Sequence, residues 1–109
     1  MKFSDPWFSL IRDGKKKIEG RMAEPKWLAI HPGDYIRMIL KDESFVVKVS
    51  KVVRYYEGEF DPLTEYLIHE GINNCLPGVN TLKEAREVYL QYFRQEDIDQ
   101  YGMVAIHLV

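Results

Sequence analysis

Two runs of alternating apolar and polar residues, Tyr35 to Lys41 and Phe45 to Val49, constrain this chain more than any other feature. Ile36, Met38 and Leu40 fall on one side of the first run, and Phe45, Val47 and Val49 continue the pattern after Asp42-Glu43. A period of two belongs to a strand with one buried face, so the pair predicts an antiparallel hairpin that turns at Asp42-Glu43. The same period returns at the end, where Val104, Ile106 and Leu108 alternate with Ala105 and His107. Met103 to Val109 is therefore predicted to be a half-buried strand.

Between these strands the pattern is helical. Asp61 caps and Pro62 begins a helix in which Leu63, Tyr66 and Leu67 share a face and which Gly71 ends. Thr81 and Glu84 have capping-box spacing ahead of a second helix, with Leu82, Ala85, Val88, Tyr89, Tyr92 and Phe93 as its apolar face. Asn73 to Asn80, which contains Pro77-Gly78, reads as the loop between them. Near the start, Asp5 as cap, Pro6 at the first position, the face Trp7, Leu10 and Ile11, and the stop at Gly14 predict a short helix. Ile18 to Met22 and Trp27 to Ile30 follow as strands, with His31-Pro32-Gly33-Asp34 as a turn. Early strands, central helices and a late strand predict an α+β barrel closed by the C-terminal segment. At 109 residues there is room for one core, so residues 1–109 are read as a single domain.

Charge restricts the partners. Fifteen Lys and Arg against 17 Asp and Glu leave a net charge of −2, so the molecule as a whole is not drawn to phosphate backbones. Nucleic-acid affinity has to come from a local patch. Lys15, Lys16, Lys17, Arg21 and Lys26 supply one, while most acidic residues lie from Glu57 onward. The single cysteine, Cys75, cannot form an internal disulfide and predicts a reducing compartment: the cytoplasm, or the nucleus in a eukaryote. The first residues do not read as a secretory signal, and no apolar run is long enough to span a bilayer. His31, His69 and His107 lack ligand spacing and no phosphate-loop signature is present, so neither metal nor cofactor is expected. Oligomeric state is left open.

Gly14, Lys16, Glu19 and Arg21 occupy the fixed positions of GxKxxExR, a pattern that resembles the signature of the ASCH family. DPWFSLIRDGKKKIEGR resembles the helix-to-strand entry of eukaryotic coactivator-type members, HPGDYIRM the following turn and strand, and YGMVAIHLV the closing strand. The resemblance implies a PUA-like mixed β-barrel with flanking short helices and a cleft beside the signature. Members of the family are proposed or shown to bind RNA or DNA, or to hydrolyse modified nucleosides. The implied ligand is RNA, a single-stranded nucleic acid, or a nucleotide or nucleoside.

In a strand, Lys17, Glu19 and Arg21 would share one face and Ile18 would point to the core. Arg21 could fork onto a phosphate, Lys16 act as a point charge, and Glu19 accept from a base or hold Arg21 in place. The alternative is an ordinary Glu19–Arg21 ion pair beside a solvated lysine turn. Gly14, Lys15, Lys16, Lys17, Glu19 and Arg21 are thus the binding candidates. Tyr55 joins them as a stacking surface, since one of the adjacent pair Tyr55 and Tyr56 should face outward. One subgroup, which this chain resembles, hydrolyses N4-acetylcytidine with a lysine, a threonine and a glutamate. The resemblance places Lys16 and Glu70 at the first and last of these, while Glu19 stands at the threonine position. Lys16, Glu19 and Glu70 are accordingly the catalytic candidates, with a carboxylate beside Lys16 favouring its charged form.

Overall fold

The computed structural model describes all residues from Met1 to Val109. In chain order the elements are α1 (Trp7–Arg12), β1 (Ile18–Met22), α2 (Pro25–Leu28), β2 (Tyr35–Leu40), β3 (Glu43–Tyr55), α3 (Pro62–Glu70), α4 (Ile72–Cys75), α5 (Leu82–Leu90), α6 (Gln95–Tyr101) and β4 (Met103–Leu108). The four strands make one curled antiparallel sheet, a half-barrel, in the order β1-β4-β3-β2. No helix is long and apolar enough to cross a membrane.

The expected hairpin is β2 paired with the first half of β3, turning at Lys41-Asp42 with Leu40 opposite Glu43. β4 differs from expectation. It lies between β1 and β3 and is buried on both faces, because it is the centre of the sheet and does not close a barrel. Its alternation divides two cores. Val104, Ile106 and Leu108 meet Met38, Val49 and the α1 residues Phe8 and Ile11 on one face. Met103 and Ala105 meet Leu63, Tyr66 and Leu67 of α3, Ala85 of α5 and Ile98 of α6 on the other.

β3 is long enough to serve both cores because of a bulge. Val49 pairs with Leu108 but Lys51 pairs with His107, leaving Ser50 as an extra residue. The bulge resets the alternation, so that Val49 and Val52 share one core while Val53 and Tyr55 face the helices. The added bend curls the sheet.

Several local expectations are corrected. Trp27 to Ile30 is not a strand: Glu24 is extended, Pro25 sits at the first helical position, and α2 follows. The first helix begins at Trp7, one residue after Pro6, and Asp5 still anchors it by accepting from Ser9 N at 3.0 Å and Ser9 Oγ at 2.7 Å. Ile72 to Cys75 form α4, which overlaps the start of the expected loop Asn73 to Asn80. α5 ends at Leu90, leaving Tyr92 exposed. The caps at Asp61 and Thr81 are as expected, accepting from Thr64 N and Glu84 N.

Before α1, the first residues run along the outer edge of β2. Phe3 N donates to Ile39 O at 2.9 Å and Ile39 N to Met1 O at 2.8 Å. The Phe3 ring then lies 5.2 Å from the Arg21 guanidinium on β1. This segment spans the gap between the two outer strands of the curled sheet, and the cleft opens beside it.

Candidate functional site

The site starts where α1 ends. Gly14 adopts φ +76, a conformation glycine takes without strain, and turns the chain so that Lys15 N and Lys16 N both donate to Leu10 O. That turn sends Lys16 inward. Its side chain is 1% exposed, and Nζ donates to Ile18 O at 2.5 Å and to Cys75 O, with Glu19 Oε1 at 3.7 Å. Cys75 ends the short α4, where carbonyls lack partners within the helix, so a lysine is a fitting donor. Burial pulls the Lys16 ammonium below the ordinary lysine range, and the Glu19 charge opposes that pull.

Glu19 and Arg21 are two apart on β1 and so share a face. Arg21 donates to Glu19 Oε2 through Nε at 3.1 Å and through Nη2 at 2.9 Å. The guanidinium lies 5.0 Å from the Trp27 ring as well as 5.2 Å from Phe3, within cation–π range of both. Lys17, expected on this face, precedes the strand and is exposed; neither it nor Lys15 lines the cleft. Lys2 lines the cleft instead, and the Trp27 ring lies beside Arg21.

These groups border a cleft of about 260 Å³. Buried Lys16, Glu19 and Gly20 form its polar floor, and Phe3, Trp7, Val88 and Phe93 form apolar walls. Gly20 is required by close approach, since a Cβ there would lie 2.4 Å from the Tyr66 hydroxyl. That hydroxyl is 2.7 Å from the hydroxyl of Tyr89, which also lines the cleft. Burial pushes both phenols above their ordinary value, so they act as neutral hydrogen-bonding groups. Burial also raises the Cys75 thiol to about 11, against the hydrogen bond from Tyr66 and the charge of Lys16, so it stays a thiol at neutral pH.

Glu70 lies elsewhere. It ends α3 with its side chain 7% exposed, accepts from the Tyr55 hydroxyl, and has His107 Nε2 2.7 Å from Oε1. His107 makes no hydrogen bond of good geometry there, so the contact is an ion pair only when the imidazole is protonated. Burial, then the bond to Glu70, raises the Tyr55 phenol well above its ordinary value, and the His69 ring stacks on Tyr55 at 5.9 Å. Neither Glu70 nor Tyr55 lines the cleft with Lys16. Of the adjacent tyrosines, Tyr56 is the exposed one. The structure thus brings together Lys16, Glu19 and Arg21, and keeps Glu70 and Tyr55 in a second cluster. No group of three or more His, Cys, Asp or Glu side chains is placed to hold a metal ion.

Residues that the sequence did not mark as binding groups also line the cleft, among them Lys2, Ser4, Tyr89 and Tyr92. Tyr89 was legible only as part of a helix face, and Lys2 and Ser4 gave no local signal, because the curl of the sheet alone brings them to β1.

The comparisons place this geometry among known proteins. The ASCH domain family model matches residues 1–109. The crystal structure of hypothetical protein PH0355 is similar at TM-score 0.85 and 38% identity, covering 99% of this chain and 94% of that one. The solution NMR structure of protein PF0455 from Pyrococcus furiosus is similar at TM-score 0.76 and 35% identity, covering 99% and 92%. No curated protein matches the chain.

Proposed function

The chain belongs to the ASCH domain family, and from that premise we propose that its cleft binds one nucleobase, carried by single-stranded RNA or by a free nucleoside or nucleotide. The half-barrel is read with it as a PUA-like fold. One observation carries the proposal: a floor of buried charged groups, Lys16 and Glu19, beneath walls of Phe3, Trp7 and Phe93. Aromatic walls favour a flat ring by stacking, and a buried carboxylate and ammonium favour one with donors and acceptors on its edge. At about 260 Å³ the cleft is smaller than the ~300–1,000 Å³ of sites for drug-sized ligands, which suits a single base. Arg21, oriented by Glu19 and lying beside the Trp27 ring, adds a positive charge next to it.

The test is equilibrium binding of a short single-stranded RNA at low and high salt. Arg21→Ala is expected to weaken binding at least about tenfold, the scale of one charge-assisted contact, and salt to weaken it further. Binding that survives both changes would sink the reading.

A second reading, release of the acetyl group from N4-acetylcytidine, is favoured by one observation, the burial of Lys16 beside the cleft. Burial works toward the neutral, nucleophilic amine. Against it stand the carbonyls of Ile18 and Cys75 and the Glu19 carboxylate, all of which favour the ammonium, and Glu70, which is engaged by Tyr55. The check is to incubate the protein and its Lys16→Ala variant with N4-acetylcytidine and follow cytidine by chromatography. Turnover by the protein that the variant lacks establishes the amidohydrolase; no turnover by either removes it.

A further inference from the structure

The rim of the cleft carries polar groups that a bound base leaves unused. Arg21 spends only Nε and Nη2 on Glu19, and Nη1 donates to no group of the protein. The two bonds to Glu19 and the neighbouring Phe3 and Trp27 rings already restrict the guanidinium, so little further freedom is lost when it takes a ligand. Lys2 lines the same cleft, carried there by the segment that pairs with Ile39. Ser4 and Tyr92, whose hydroxyls are 3.3 Å apart, stand at the mouth beside them. Lys26 lies 4.6 Å over the same Trp27 ring.

The sign of the charge is consistent throughout. The cleft is lined by Lys2, Lys16 and Arg21 against Glu19 alone, a local positive excess in a chain of net charge −2. Burial first, then the charges of Arg21, Lys26 and Lys2, holds the Met1 amine below its ordinary range. A planar guanidinium with a free nitrogen, a mobile ammonium and two hydroxyls match the oxygens of a phosphate ester.

We propose that the rim formed by Arg21 and Lys2 is a phosphate site, so that the occupant of the cleft is a phosphorylated nucleoside unit with its base inside and its phosphate at the mouth. The proposal rests on the base-binding reading and narrows it. Lys15 and Lys17, which lie outside the cleft, contribute nothing to this contact. The phosphate belongs either to a free mononucleotide or to the backbone of a strand, since both present the same ester oxygens.

The experiment is calorimetric titration of the full chain and of Lys2→Ala. The ligands are each of the four common ribonucleosides, their 5′-monophosphates, ribose 5-phosphate and a mixed-sequence tetranucleotide. At least one monophosphate is expected to bind about tenfold or more tightly than its nucleoside, and that ratio is expected to fall toward one in Lys2→Ala and at high salt. A tetranucleotide tighter than every monophosphate assigns the phosphate to a strand, and the reverse order assigns it to a mononucleotide. Equal affinity for nucleosides and their monophosphates overturns the phosphate site and leaves base binding standing. Ribose 5-phosphate binding that Lys2→Ala weakens, with no nucleoside bound, keeps the phosphate site and removes the base-binding reading. No binding of any probe overturns both.

Discussion

Two arginine–carboxylate pairs in this molecule have similar chemistry and opposite surroundings. Asp61 and Arg86 join α3 to α5 in a closed network. Arg86 Nη1 donates to both Asp61 oxygens and to Thr64 Oγ1, and its Nη2 to Gln95 Oε1. Gln95 Nε2 completes the circuit to Asp61 and to Asp99. At the cleft, Glu19 and Arg21 leave Nη1 free, share their carboxylate with buried Lys16, and face open space between aromatic rings. A polar network that satisfies itself holds helices together, whereas one that stops short leaves a donor available. Both pairs are ion pairs, but only Asp61 and Arg86 are tied into further side chains on every side.

The contrast can be broken most sharply at Arg86. Arg86→Ala leaves Asp61 and the Gln95 carbonyl short of donors and is expected to cost about 2–3 kcal/mol. That is below the ~3–5 kcal/mol of a fully buried broken pair, because both side chains are 25% exposed. Urea unfolding measures it, and RNA affinity should not change. Arg21→Ala should cost less, about 1 kcal/mol, because Lys16 remains to balance Glu19, yet it is the change expected to weaken RNA binding. Equal destabilisation by the two variants with binding intact would reduce both to structural pairs.

Acid and alkali sharpen the contrast further, with smaller effects. Burial alone would raise the Asp61 carboxyl, but the hydrogen bonds from Arg86, Thr64 and Gln95 and the Arg86 charge outweigh it and hold it below 3.8. The unfolded chain therefore takes up the proton first as pH falls below 3.8, and the stability that Asp61 contributes is lost there. Wild type and Arg86→Ala are expected to converge in acid. Lys16 works at the other end. Its folded form releases the proton before the unfolded form does at 10.5, so wild type should gain stability relative to Lys16→Met as pH rises toward that value. A constant difference between those two proteins across the range would mean that Lys16 keeps an ordinary proton affinity.

What the sequence made legible follows from how local each signal is. The caps at Asp61 and Thr81 are contacts between residues three apart, and the hairpin is a period of two, so both could be read directly. α6 was missed because Gln95–Tyr101 has one buried residue, Ile98, and no side-chain cap, leaving neither periodicity nor a start signal. β3 was read short because Ser50 interrupts the alternation that defines a strand. That Lys16, Glu19 and Arg21 lie together was legible because the signature sits on one turn and one strand. The sequence could not show that Lys16 points inward while its neighbours point out, since that depends on the Gly14 turn and on a carbonyl 59 residues away. Nor could it separate Glu70 from Lys16, because which neighbour takes a carboxylate is decided by tertiary packing.

The first three residues carry a consequence beyond the cleft they border. By pairing with Ile39 they occupy backbone groups on the outer side of β2, which would otherwise offer a template for strand addition by a second molecule. Trimming them would remove Lys2 and Phe3 from the mouth of the cleft and, in the same stroke, bare an edge that invites self-association. In this chain, the cover of a sheet edge and one wall of the cleft are therefore written in the same short stretch, and neither can be altered there without disturbing the other.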